Sequence, residues 1–222
     1  MGIELHNAHR HGIDLAKYAG GQLTIAHNGT ITNGRGSDSI YGATSPWTIH
    51  NFGTIGSTGF GLPYGGSVYN HGNISRLGMT SGTVVNHGSI HYLLMVQGNL
   101  FNGRDGTIWS NGGYFHDYST VWIQNRGSID NLGTIIGGID LGQGVIVNGS
   151  KNDTTASMLK EGNVLPLVGV DTGTIINYGT IYRAGVAHGT IINHGSIIIP
   201  IEVSGDLTVT GAKPRARRCS IA

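Results

Sequence analysis

The chain has 222 residues, enough for one sizeable core or one continuous stack, and its 39 glycines and 5 prolines without glycine at every third position exclude a collagen triple helix. Charged residues make up only 11%, and the formal net charge is +1. Four of the thirteen basic residues (Lys213, Arg215, Arg217, Arg218) lie in the last ten positions, so residues 1–211 carry nine basic against twelve acidic groups and offer no basic stripe to a nucleic acid.

In chain order, residues 1–11 form a His-rich segment that reads as a candidate N-terminal cap. His6, His9 and His11 make a weak adventitious metal cluster at most, and no metal site is expected there. The opening MGIELHNAHRHG lacks the apolar core of a secretory signal.

From residue 12 to 211 one phrase recurs. It appears intact as GSVYNHGNI (66–74), GTVVNHGSI (82–90), GSIDNLGTI (127–135), GTIINYGTI (173–181) and GTIINHGSI (189–197), with looser copies at 23–31, 47–55, 98–108, 121–129 and 144–150. Self-similarity at a short period means one small unit stacked many times. In each copy, two apolar residues flank a corner built from Asn and Gly, which tolerate left-handed backbone. A two-residue Asn-Gly hairpin is the competing reading. Against it, the residue between Asn and Gly varies freely (Phe52, His71, Arg126, Leu132, Tyr178), and the flanking strands are too short for stable hairpins. In a coil of parallel strands each strand pairs with its equivalent one rung later, so three-residue strands suffice.

A third strand precedes many copies, as GIDL (12–15), GFGL (59–62), GIDL (138–141) and GVAH (185–188). The prediction is therefore an all-β, single right-handed parallel β-helix of about ten rungs, three short strands per rung, with a minimal rung of sixteen residues set by Gly66, Gly82 and Gly98. Before the corner, Ile49, Val68, Val84, Leu100, Ile123, Ile175 and Ile191 should form one core column. After it, Ile55, Ile74, Ile90, Ile108, Ile129, Ile181 and Ile197 should form another. The corner asparagines Asn51, Asn70, Asn86, Asn102, Asn125, Asn131, Asn148, Asn177 and Asn193 are read as a structural ladder of stacked amides rather than as ligand contacts.

Two stretches leave the pattern. NGGYFHDYST (111–120) would display Tyr114, Phe115, His116 and Tyr118 as speculative surface contacts. The longest insertion, about 150–171, contains ASMLKE, the only plausible helical turn. The tail, 212–222, is basic and expected to be disordered. It holds Cys219, the one cysteine, so neither a disulfide framework nor a cysteine metal site is present. No stretch approaches the ~18 apolar residues of a membrane helix.

Glycan chemistry would need two carboxyls facing one bond, or a base with a neutralising cation. No DD or DxD cluster occurs, and Asp14 and Asp140 occupy equivalent GIDL sites far apart along the rod. Stacked imidazoles at His71 and His87 raise a metal reading, but Phe52 and Tyr178 share their slot, which marks it as an outward position under weak constraint. No catalytic residue, cofactor or metal is assigned.

The phrases GTVVNHGSI, GTIINYGTI and GIDLGQGVIVNG resemble the passenger regions of bacterial autotransporter adhesins and filamentous-haemagglutinin-like repeats, over about 200 of the 222 residues. That resemblance implies a right-handed β-helix at the cell surface, touching host or bacterial proteins or glycans. Without an export signal or a translocator barrel in this sequence, the chain is expected to be a passenger fragment or a shortened reading frame, extracellular or on the bacterial surface as part of a longer exported protein. The expected function is structural or adhesive and non-catalytic. A polysaccharide lyase or hydrolase is the alternative, and an ice-binding solenoid ranks last because Asn73, Ser89, Ser128 and Ser196 interrupt its threonine row. Exposed end rungs would allow weak self-association.

Overall fold

The computed structural model describes residues 2–18, 21–32, 39–56, 60–110, 119–159, 168–199, 202–203 and 207–211. A typical turn of the chain contributes a leading strand, a pre-turn strand ending in Asn, and a two- or three-residue post-turn strand, as in Leu77–Met79, Gly82–Asn86 and Ser89–Ile90. Every strand pairs in parallel with its counterpart in the next turn, so that Val68 lies beside Val84, Val84 beside Leu100 and Leu100 beside Ile129. Leading and pre-turn strands belong to one 17-stranded sheet, and post-turn strands form a second sheet of ten. The molecule is a parallel β-helix.

The hydrophobic pattern accounts for the winding. In the pre-turn strand only the third and fifth residues point inward, so Val84 and Asn86 are buried while Thr83 and Val85 face out. In the post-turn strand only the second residue does. Repetition turns those positions into continuous columns: Val68, Val84, Leu100, Ile129 and Ile146 before the corner, and Ile74, Ile90, Ile108, Ile135 and Met158 after it, all at most 2% exposed. The leading strand adds a third pair of columns through Leu77, Leu93, Val121 and Ile139, and through Met79, Met95, Ile123 and Leu141. Each such side chain removes apolar area worth roughly 1.5–3 kcal/mol from water, which lets strands this short persist.

The structure departs from the sequence expectations at four places. Pairing already begins at Ile3–Leu5 against Leu23, Thr24 and Ile25, and at Ala8–His9 against Thr30 and Ile31, so the stack starts within the segment read as a cap. The pre-turn column accordingly contains eleven strands among the described residues rather than about ten. At a strand spacing of ~4.8 Å it extends over roughly 48 Å.

From Ser119 onward the leading and pre-turn strands fuse into single strands, Ser119–Asn131, Gly138–Asn148, Val168–Asn177 and Ala184–Asn193. Within ASMLKE, Ser157–Leu159 is a strand and not a helical turn, because Met158 fills the core column between Ile135 and Ile181.

The fourth departure concerns register. Val121 pairs with Leu93 and Ile123 with Met95, so VWIQ is a leading strand; Ile123 leaves the pre-turn column, and Ile129 takes its place there rather than in the post-turn column. Asn125 is therefore not a rung of the ladder. It is exposed at the corner between the leading and pre-turn segments, and Asn131 supplies the amide of that turn. Residues 111–118, with Tyr114, Phe115, His116 and Tyr118, lie outside the described residues, as do 160–167 of the insertion and the tail 212–222.

Eight asparagines make the ladder. The side-chain N–H of Asn51 donates to Asn70 at 2.7 Å, and the chain continues through Asn86, Asn102, Asn131, Asn148 and Asn177 to Asn193 in bonds of 2.7–2.9 Å. The same amide nitrogens also donate to backbone carbonyls of the corner, as Asn102 does to Gly106 and Thr134. Every donor points toward the next turn. At the other end, Oδ1 of Asn51 is buried without a partner, because the residue in register one turn earlier is Ile25.

Candidate functional site

With the inward positions committed to core and ladder, function falls to the outward ones. The pre-turn sheet presents three parallel features along the rod axis: a trough at the corner where each pre-turn strand begins, a central row of larger side chains, and a row of rings at the Asn corner.

The trough exists because the corner residue is glycine in successive turns. Gly144 has φ +145, and a Cβ there would sit 1.8 Å from the carbonyl oxygen of Gly127 one turn below. Only glycine fits, and the stacked absence of side chains leaves an open channel of about 710 Å³ across four turns. One wall is made by the residues preceding the glycines (Ser81, Gln97, Arg126, Gln143), the other by those following them (Thr83, Asn99, Ser128). Arg126 lies over Gln143, to whose Oε1 its Nε and Nη2 donate at 3.2 and 3.1 Å. Across the channel, the hydroxyl of Ser128 donates to Oδ1 of Asn99 at 2.8 Å. Among the described residues no aspartate or glutamate lines the trough.

The central row runs through His50, Tyr69, Val85, Phe101 and Asp130 in consecutive turns. His50 and Tyr69 stack at 4.9 Å, and Tyr69 is 36% exposed. Asp130 is exposed, and partial desolvation raises its carboxyl pKa.

At the Asn corner, His27, Phe52, His71 and His87 form a column with ring centroids 5.5, 5.2 and 5.2 Å apart. The sequence placed His71 and His87 side by side, and the structure brings them together as parallel rings at 9°. That parallel geometry aims their ring nitrogens alongside one another instead of at a common point, which is poor for a metal. Among the described residues no group of three or more His, Cys, Asp or Glu could hold one. Desolvation holds the His71 pKa below its ordinary value, and the neighbouring His87, His50 and His27 lower it further. His194, which shares the slot, stacks instead on Tyr178 at 4.9 Å.

Two further aspartates lie in local contacts outside these rows. Asp14 accepts a hydrogen bond from the N–H of Ala16 and lies 3.8 Å from Lys17. Asp153 has a lowered pKa, first because the hydroxyl and N–H of Thr155 donate to Oδ1, and then because Arg104 pairs with its Oδ2 at 2.8 Å. The outward row of the post-turn sheet mixes Thr54, Thr107, Thr134 and Thr180 with Asn73, Ser89, Ser157 and Ser196; Ser128 is in the trough wall instead.

Sequence reasoning left the residue between Asn and Gly, and the loops, free for function. It missed the trough. The available signal was the pair of residues on either side of the repeat's first glycine, which are polar in most turns, Gly65 and Val145 being exceptions.

No family model, no curated protein and no solved structure matches the chain. The class defined by fold and surface is a parallel β-helix with an asparagine ladder and an outward polar channel.

Proposed function

We propose that the chain is a non-catalytic, adhesive β-helical rod, a segment of a surface-exposed or secreted bacterial adhesin passenger, whose pre-turn face holds a glycan or protein of another surface. One observation carries the reading. Among the described residues the channel is walled by amides, hydroxyls and one guanidinium without a carboxylate, which equips it to hydrogen-bond a polyhydroxylated chain and not to cleave one by paired carboxyls. Tyr69, on the same face one turn before the channel and 36% exposed beside His50, adds an amphipathic side chain of the kind found at binding surfaces. The likeness of GTVVNHGSI and GTIINYGTI to adhesin passengers points the same way.

A second reading, a polysaccharide-active enzyme, draws on Asp130, whose raised pKa suits a proton donor and which lies two residues from Ser128 of the channel wall. Incubation with pooled acidic and neutral polysaccharides separates the two. The adhesive reading expects no new reducing ends and no unsaturated products; turnover that disappears in Asp130→Asn would overturn it.

A further inference from the structure

Among the described residues the channel contains a single charged group. Arg126 projects from its wall, and among the described residues no carboxylate pairs with it. Two of its five N–H donors are taken by one oxygen, Oε1 of Gln143, which holds the guanidinium against the wall and leaves the remaining donors for a ligand. Gln143 spends its oxygen in that contact and keeps its own amide N–H groups. Asn99 is in the same state, since its oxygen accepts from Ser128. Gln143 and Asn99 are thereby oriented so that their amide N–H donors remain free beside Arg126, while the hydroxyls of Ser81, Thr83 and Ser128 and the amide of Gln97 can both donate and accept.

A site rich in donors, bearing a positive charge and open at both ends along the rod axis, selects an extended anion. A bidentate guanidinium matches the two oxygens of a carboxylate or the oxygens of a sulfate ester. The glycine floor lets a chain lie close to the backbone, and the turn-by-turn repeat of ~4.8 Å presents donors at regular intervals along it. A neutral polysaccharide would leave the guanidinium without its complement.

We propose that this channel is a binding subsite for an acidic polysaccharide, laid parallel to the rod axis with a carboxylate or sulfate on Arg126 and hydroxyls on Asn99 and Gln143. The inference rests on the adhesive reading and specifies its ligand class.

The test measures binding of the full chain to alginate, dextran sulfate and neutral dextran, for the wild type, Arg126→Gln, Asn99→Ala and the control Lys151→Gln. Lys151 is exposed in a corner turn away from the channel, so the control removes the same unit of charge, while the basic tail is common to all variants. The proposal expects at least one polyanion to bind about tenfold more tightly than dextran. Arg126→Gln should weaken that binding about tenfold, Asn99→Ala severalfold, and Lys151→Gln by less than twofold. Preference for alginate would assign the anion as a carboxylate, and preference for dextran sulfate as a sulfate. Equal binding of dextran, equal losses in Arg126→Gln and Lys151→Gln, or no binding of any of the three would overturn the subsite while leaving a non-catalytic rod with a protein partner intact. Turnover of a polysaccharide would instead remove the adhesive reading itself.

Discussion

At the scale of the residue, two asparagines six positions apart have opposite fates. Asn131 is fully buried, accepting from Asn102 and donating to Asn148, whereas Asn125 is exposed. Both stand in an Asn-x-Gly phrase, so local wording does not separate them. Stacking does, because Gly127 lies between Gly98 and Gly144 and thereby fixes Asn131, not Asn125, in line with Asn102 and Asn148. The intact copy GSIDNLGTI carried that answer in the sequence, since two amides so close together cannot occupy one column of successive turns. Their substitutions should differ accordingly. Asn102→Ala would strand the N–H of Asn86 and the oxygen of Asn131 in a dry interior and cost about 2–4 kcal/mol, while Asn125→Ala should stay within about 0.5 kcal/mol. Denaturant unfolding of the two variants checks this, and equal losses would contradict the ladder's register.

At the scale of the element, strands and corners were legible to different degrees. Pre-turn and post-turn strands were readable because each alternates inward and outward residues with period two and recurs. The leading strands were less so, and their fusion with the pre-turn strands from Ser119 onward depends on backbone geometry that side-chain patterns do not encode. The Ser157–Leu159 strand was misread because its residues suit a helix; the column that Met158 completes overrides that preference.

The ring column at the Asn corners has a consequence for pH. A histidine whose folded pKa lies below its unfolded value binds its proton less readily in the native state, so the contribution of His71 to stability is complete above the unfolded pKa and declines as pH falls through about 6.5 toward the lowered value. Thermal unfolding from pH 7.5 to 5 should therefore show a fall in Tm that His71→Phe reduces, since a phenyl ring keeps the stack with Phe52 and His87 and carries no proton. An unchanged pH slope in that variant would count against the imidazole column as its source.

At the scale of the whole molecule, each turn touches chiefly its neighbours, so stability should behave as a sum of turns and interfaces. Gly66 pairs with Gly82, and residues 98–102 continue the same register, which makes residues 82–97 a removable unit. Their deletion should place Asn70 beside Asn102 and leave a folded rod shorter by ~4.8 Å, whereas deleting Val84 alone should weaken the fold, because a one-residue slip puts the inward and outward residues of that strand out of step with Val68 and Asn70. Far-ultraviolet circular dichroism and small-angle scattering distinguish these outcomes, and unfolding of the sixteen-residue deletion would refute modular stacking.

The orphaned oxygen of Asn51 gives this modular rod a join between two materials. Above that residue the interior is hydrocarbon reinforced by a hydrogen-bonded cable of amides; below it, where Ile25 takes the asparagine's place, the corner column is hydrocarbon. The cable transmits no tension into the first two turns. Axial load on the rod would meet a weak plane there, between Ile25 and Asn51, with the glycine-floored channel wholly on the reinforced side.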